Sequence, residues 1–438
     1  MKKRRILFTT GFRDKNSYYD NLKVNTVGKN HPSTPLMISS SLRFIRNNIP
    51  GIQILEYPTW KQYCAVLKKG WDILGFSFYL HETHKVLKMV EYARLQRVGE
   101  IWGGNYGVLT EEIQGCFDRI FLGHAEHEIA EVLGERIERI KHPPLIEYVA
   151  PPFGIGRFKW KSRHFGNLHT TMGCTMNCTF CQTAAFCKKI TSLPIESIDE
   201  VLRYYRKMGI YSIMILDESF GINPAHAEAA IRLLEKYKFT WGCISRADLL
   251  KNRLKDWTKR GLMIVLVGIE NLNQKNLDSV CKKEKIEEIQ DIVKMIKNLG
   301  LFAYGLYMIG FETETAESIK QDIEALVQMD LNFTQVCILT PLPQTSLKGS
   351  LEQKFGKSTT DFSQFDCKHL VWSHPNIPKN EMEDLLKYAF KRLNPPDKTA
   401  RLWKIMRDTD KPYWASRHWW QHSLQATFFN YNKQRYIF

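Results

Sequence analysis

Residues Thr171 to Cys181 read TMGCTMNCTFC and set Cys174, Cys178 and Cys181 in a C-x3-C-x2-C spacing. One short loop can thereby offer three thiolates to a single soft metal centre. A structural zinc site wants a closed tetrahedral set, commonly two C-x2-C knuckles or their histidine variants. An iron–sulphur cluster is normally held by four Cys, so a three-Cys loop leaves one iron open to another molecule. The spacing alone leaves an open cluster, a zinc loop and three buried thiols standing. Phe180 directly before the last Cys, and the strand-like LHTTMG leading in, favour the first.

Outward from the loop, 438 residues exceed one ordinary core, so two or three domains are expected. No uninterrupted apolar run approaches the roughly 20 residues of a membrane span. MKKRRILFTTGF reads as a basic lead into a strand rather than a signal peptide, which predicts a protein of the cytoplasm or the membrane periphery. Apart from the one cluster the Cys residues are scattered, as in a reducing compartment rather than a disulphide framework. The net charge of +16 suits nucleic acid, an anionic membrane or an acidic substrate, and equally a solvated surface.

Upstream, residues 1 to about 135 alternate apolar runs (RILFTTG, IQILEYP, DILGFSFY, EIWGGNYG, DRIFLG) with helical patterns. That alternation predicts a parallel, doubly wound, Rossmann-like sheet, whose ligands sit beyond the carboxyl ends of the strands. The turns that matter are therefore Ser77 to His84, Gly103 to Gly107 and Gly123 to His127, where glycine lets backbone approach a large ligand. Residues 136–165 carry Pro143, Pro144, Pro151 and Pro152, break the periodicity and read as a linker.

From 166 to about 348 the alternation resumes. YSIMILDESF, FTWGCISRADLL, MIVLVGIENL, FAYGLYMIGF and FTQVCILTPLPQT are strands whose charged or glycine-bearing ends point to one rim, as in a (β/α) barrel. The Cys loop with its aromatic, the LDESF and VGIEN strand ends, the G-x4-G of GLYMIG and the P-x-P-x-T closing strand together resemble the radical S-adenosylmethionine (SAM) superfamily. The likeness is to the branch holding cobalamin-dependent methylases and tRNA methylthiotransferases. It implies a partial (β/α)6 barrel and a [4Fe-4S] cluster on Cys174, Cys178 and Cys181 whose open iron chelates SAM. It further implies reductive cleavage of SAM to a 5'-deoxyadenosyl radical that attacks an unactivated carbon.

By the same resemblance Phe180 lies beside the SAM adenine, Asp217 and Glu218 approach its amino group, and Arg246 forks onto its carboxylate. Glu270 stands near the ribose or substrate as the catalytic candidate, and Gly305 to Gly310 bring backbone close to adenine. For each the bland alternative is a rim salt bridge or a solvated turn. Cys187 reads as a packed thiol, because a fourth protein thiolate would close the site that SAM needs.

The turns of residues 1–135 resemble the cobalamin-binding domain of many radical SAM methylases and cyclases, which implies cobalamin contacts at Ser77, His81, Gly103, Gly104 and Gly123. D-x-H-x-x-G, the cobalt-coordinating motif, does not occur. His81 would then face the lower side of the corrin or be an exposed turn residue. Methylthiotransfer is disfavoured, because only Cys64 and Cys116 precede the core.

The α/β chain is thus expected to run from a cobalamin-binding-type domain (1–135) through a linker (136–165) and barrel (166–348) to a mainly helical cap (349–438). The cap's tail interleaves basic residues with Trp403, Trp414, Trp419, Trp420, Phe428, Phe429, Tyr431 and Tyr436, a pattern for stacking bases, meeting a membrane interface or packing over the barrel mouth. The function implied is cobalamin-dependent C-methylation by a monomer. The partners would be a small-molecule, lipid, tetrapyrrole or peptide substrate and an electron donor such as flavodoxin or ferredoxin. The alternatives are radical cyclisation or rearrangement with or without cobalamin and, more distantly, a metal- or RNA-binding module.

Overall fold

The computed structural model describes residues 4–13, 38–149, 163–187 and 189–395. The aromatic tail, and the linker prolines Pro151 and Pro152, lie outside the described residues. Strands β1 (Ile6–Thr9), β2 (Ile52–Leu55), β3 (Ile73–Ser77), β4 (Glu100–Gly104) and β5 (Arg119–Phe121) form a parallel sheet in the order β2-β1-β3-β4-β5. The order reverses between β1 and β3, so their carboxyl ends flank the crevice where such sheets take ligands. Helices Ser40–Asn48 and Thr83–Leu95 cover this sheet; the first opens on Ser39, whose hydroxyl accepts from the Leu42 N–H.

Leu145–Val149 is a strand, β6, that pairs antiparallel with β7 (Arg163–Leu168), so the linker expected over 136–165 is partly sheet. The prolines hid it, and an antiparallel edge strand obeys no βα alternation. It is held by the Tyr205 hydroxyl, which accepts from the Leu145 N–H at 2.8 Å and donates to the Asn167 carbonyl at 2.8 Å.

After β7 come the short β8 (Thr171–Met172) and β9 (Thr191–Ser192), then β10 (Ser212–Ile215), β11 (Thr240–Ser245), β12 (Leu262–Glu270), β13 (Phe302–Ile309) and β14 (Phe333–Ile338). The second sheet runs β14-β13-β12-β11-β10-β7-β6. Its β7 and β10 to β14 are the six parallel strands of a partial barrel. Alternation assigns the faces. Val265, Val267, Ile269, Tyr307, Ile309, Val336 and Ile338 belong to the large core, while Leu266, Leu306, Met308 and Cys337 on the other face stay half-buried. The helix Lys379–Leu393 packs along β14 and the helix Ala316–Met329. Among the described residues no helix is long and apolar enough to cross a membrane.

Candidate functional site

The Cys loop leaves the carboxyl end of β7 and is closed at its base by β8 and β9, which pair antiparallel with Thr171 opposite Ser192. Gly173 turns the chain into the loop at φ +86°, where a Cβ would stand 2.3 Å from the Lys189 carbonyl oxygen. Further in, the Thr179 N–H donates to the Val280 carbonyl (3.0 Å) and the Thr179 carbonyl accepts from the Leu347 N–H (3.1 Å). The three ligand candidates are half-buried on this pinned segment. Burial raises the Cys174 thiol and pushes Cys178 up to about 11, while Lys282 and Arg246 pull Cys178 back towards thiolate. The Met176 N–H reaches the Cys174 sulphur at 3.4 Å, a contact that favours a thiolate. Among the described residues no three His, Cys, Asp or Glu side chains converge tightly enough for one ion. A set of three Cys fits a cluster with one open iron, whereas structural zinc wants four protein ligands.

Beneath the loop lies a chain of paired charges, Glu270–Lys282–Glu284–Arg246–Asp248. Lys282 pairs with Glu270 at 3.0 Å and Glu284 at 3.2 Å, with 5% and 1% of the Lys282 and Glu284 side chains exposed. Burial opposes the Lys282 ammonium, but Glu270 and Glu284 raise its pKa on balance. Cys281 (φ +54°) and Lys283 (φ +56°) bracket Lys282 and turn it inward. Sequence reasoning missed Lys282 and Glu284 because CKKEK reads as a solvated charge run.

Of the residues expected at SAM, Glu218 is exposed and accepts from the Gly173 N–H at 3.1 Å, which leaves most of its carboxylate open. Phe180 is half-buried against the core, and Glu270 sits at the end of β12 at φ +60°. Asp217 does not reach the site. It is fully buried and accepts from the Thr170 N–H (2.6 Å), the Thr171 N–H (3.0 Å) and both threonine hydroxyls, so its role is to anchor the Cys loop. Arg246 is likewise committed: its fork holds Asp248 (Nε–Oδ1 3.0 Å, Nη2–Oδ2 3.0 Å) and it donates to the Lys282 carbonyl. Gly305 packs on the helix side of β13, where a Cβ would meet Leu331 and Ile269 at 2.8 and 3.0 Å. Gly310 forms a turn against Met382 and gives its N–H to Glu314. Neither glycine makes an open cradle for adenine.

The carboxyl edge of the first sheet faces this loop. Ser77 bonds Ser41 (2.8 Å) and accepts from the Asn105 amide (3.2 Å), and Gly104 is open, with nothing nearer to a Cβ than 3.5 Å. Glu82 is buried beside Gly11; its Oε2 accepts from the Tyr79 N–H, and its Oε1 has no hydrogen-bond partner among the described residues. Burial raises this carboxyl to about 7. An amide-rich cofactor such as cobalamin fits here, since amide donors suit an orphaned acceptor. Two glycines expected to admit it are spent on packing: a Cβ at Gly103 would strike Phe117, and one at Gly123 the Phe186 carbonyl oxygen, each at 2.8 Å. His81 is buried and stacked on Tyr79, not presented at the edge to a corrin.

Residues 168–326 match the family described as Radical SAM superfamily. Over 333 residues the chain is 29% identical to an uncharacterized methyltransferase of Pyrococcus horikoshii, spanning 67% of this chain and 72% of that one. It is 22% identical over 328 residues to the bacteriochlorophyllide d C-8(2)-methyltransferase of Chlorobaculum tepidum, spanning 69% and 73%. The fold is similar to that of the radical S-adenosylmethionine methyltransferase TsrM of Kitasatospora setae, solved with cobalamin and a [4Fe-4S] cluster, at a TM-score of 0.62. That match has 12% identity and covers 98% of this chain and 100% of that one.

Proposed function

We propose that this chain, whose residues 168–326 match the Radical SAM superfamily, is a radical SAM enzyme that adds a methyl group to an unactivated carbon in a cobalamin-dependent reaction. The observation that carries this reading is the meeting of the two sheets at the carboxyl edges of their parallel strands, with the three-thiol loop between them. When bound, a [4Fe-4S] cluster supplies one electron and an open iron for SAM, and cobalamin supplies a transferable methyl group.

This chain's own residues do the holding. Cys174, Cys178 and Cys181 are the cluster thiolates, and Asp217 keeps their loop seated through Thr170 and Thr171. Glu218, the open carboxylate at the rim, receives the ammonium of SAM. Glu270, held by Lys282, faces the site from the end of β12. Ser77, Asn105 and Glu82 take polar groups of cobalamin.

The half-buried face of the barrel sheet offers Ile244, Leu266, Leu306 and Met308, while the neighbouring charges are paired with one another. Such a wall excludes water from a radical and suits a substrate whose reacting carbon lies in an apolar segment, such as a lipid or the periphery of a tetrapyrrole. The electron comes from a small redox protein such as a flavodoxin or ferredoxin.

Anaerobic reconstitution should give a brown protein with about four irons that converts SAM to 5'-deoxyadenosine under a strong reductant. Cys174→Ala with Cys178→Ala should lose both iron and cleavage. Retention of hydroxocobalamin, read from corrin absorption, and a product heavier by one methylene support methylation. A product lighter by two hydrogens indicates ring closure instead, and a colourless zinc protein overturns the reading.

A further inference from the structure

A column of near-parallel rings joins the first sheet's carboxyl edge to the end of the Cys loop. His81 and Tyr79 are 6.2 Å apart at 12°, Tyr79 and Tyr106 are 5.9 Å apart at 9°, and Tyr106 and Phe186 are 4.3 Å apart at 21°. His124 meets Phe186 edge-on at 5.7 Å. Gly123, at φ +71°, lets the turn after β5 lie against the Phe186 carbonyl. Tyr79, His81 and Tyr106 follow β3 and β4, whereas Phe186 ends the short helix Thr183–Phe186 that begins two residues after Cys181.

The column is tied to the loop by stacking: Phe186, the ring nearest Tyr106, closes the short helix that follows Cys181. The loop's other supports come from the barrel itself: the Gln182 amide donates to the Pro343 carbonyl, and the Thr179 backbone bonds Val280 and Leu347. Between Thr183 and Phe186 the first domain supplies the ring contacts.

We infer that Tyr106 is a positioning residue for the third cluster ligand, transmitting the state of the first domain's carboxyl edge to Cys181. It touches no reacting atom. It fixes Phe186, and through the short helix Thr183–Phe186 the direction in which Cys181 leaves the loop. An occupant of the edge beside Tyr79 would act on the column, and through Phe186 on the segment that carries Cys181. This inference rests on the three-Cys cluster and not on cobalamin.

The test uses the full chain with its cluster reconstituted, and compares Tyr106→Phe, which keeps the ring, with Tyr106→Leu, which removes it. Iron content, the spectrum of the reduced cluster with and without SAM, and SAM affinity are measured. Tyr106→Phe should stay within about twofold of the parent in SAM affinity, and Tyr106→Leu should weaken it about fivefold, the worth of one aromatic pair. Iron content should stay unchanged while the SAM-induced change in the cluster spectrum is altered. Phe186→Leu removes the same contact from the other side and should reproduce the effect, with the double variant no worse than either single one. It also supplies the answer if Tyr106→Leu does not fold. Parent-like SAM affinity and spectra in both leucine variants, or full additivity of the pair, overturn the inference. Absence of iron from the parent protein would instead refute the cluster assignment.

Discussion

At the carboxyl edge of the seven-stranded sheet the charges other than Glu218 are spent on one another: Arg246 on Asp248 and Glu284, Lys282 on Glu270 and Glu284. The facing edge of the five-stranded sheet carries hydroxyls and an amide (Ser41, Ser77, Asn105), an open Gly104 and an acceptor on Glu82 without a hydrogen bond among the described residues. Being at a rim therefore does not make a residue available. A buried ion-pair chain is costly to break, because removing either partner strands a charge, whereas an acceptor without a partner gains from any donor that arrives. Apart from Glu218, the first edge spends its charges within itself, and the second leaves polar groups open.

The sharpest version of that contrast is between neighbours, Asp217 and Glu218. Asp217→Asn removes the charge that four donors converge on. It should cost about 3 kcal/mol in denaturant unfolding and release iron from the reconstituted loop. Glu218→Gln, exposed and with one backbone contact, should leave unfolding and iron content as they are and weaken SAM binding about tenfold. If Asp217→Asn kept full stability while losing SAM affinity, the assignment of the two carboxylates would have to be exchanged.

Why the sequence could not separate them is instructive. LDESF puts two acids at a strand end, and successive side chains point to opposite faces, so one of the two had to turn in. Which one is decided by Thr170 and Thr171, 46 or 47 residues earlier in the chain, and no local pattern records that pairing. Gly305 fails for the same reason: its place in G-x4-G suggests a rim, but alternation turns it towards Leu331 and Ile269. The strand alternation and the Cys loop were legible because each is a local signal, a period or a spacing. The ion-pair chain, the Glu82 oxygen that has no partner among the described residues and the ring column were not, since each needs two elements to meet.

The joint between the two halves gives a smaller, pH-dependent effect. His142 is 5% exposed beside Phe44; its Nδ1 bonds the Pro143 carbonyl and its Nε2 accepts from the His169 N–H at 2.9 Å. In that arrangement a second proton would break the bond to His169. Burial, with His169 nearby, holds His142 down to about 3, and burial with His124 holds His169 down to about 4. Unfolded imidazoles titrate near 6.5, so between that pH and the folded values the unfolded chain binds more protons and stability falls as pH falls. At pH 5 the His142 contribution should be about 2 kcal/mol. Unfolding free energies at pH 7 and pH 5 for the parent and His142→Gln should differ in slope by that amount. Parallel slopes would mean that the joint is not held by a neutral imidazole.

The smallest effect separates the two uses of glycine at the receiving edge. Gly123→Ala places a Cβ at φ +71° and 2.8 Å from the Phe186 carbonyl oxygen, and should cost about 1 to 2 kcal/mol. Gly104→Ala meets nothing nearer than the Phe121 carbonyl at 3.5 Å, an ordinary contact. Its backbone is not in the left-handed region, so the methyl group should change stability by no more than about 0.5 kcal/mol, and in the favourable direction, because alanine restricts the unfolded chain. The value of this variant lies in the pairing of measurements. If the edge receives cobalamin against bare backbone, Gly104→Ala should lower hydroxocobalamin retention while the melting temperature of the cobalamin-free protein holds or rises. If retention is unchanged, close approach at β4 is not what the glycine serves, and the receiving surface contracts to Ser77, Asn105 and Glu82.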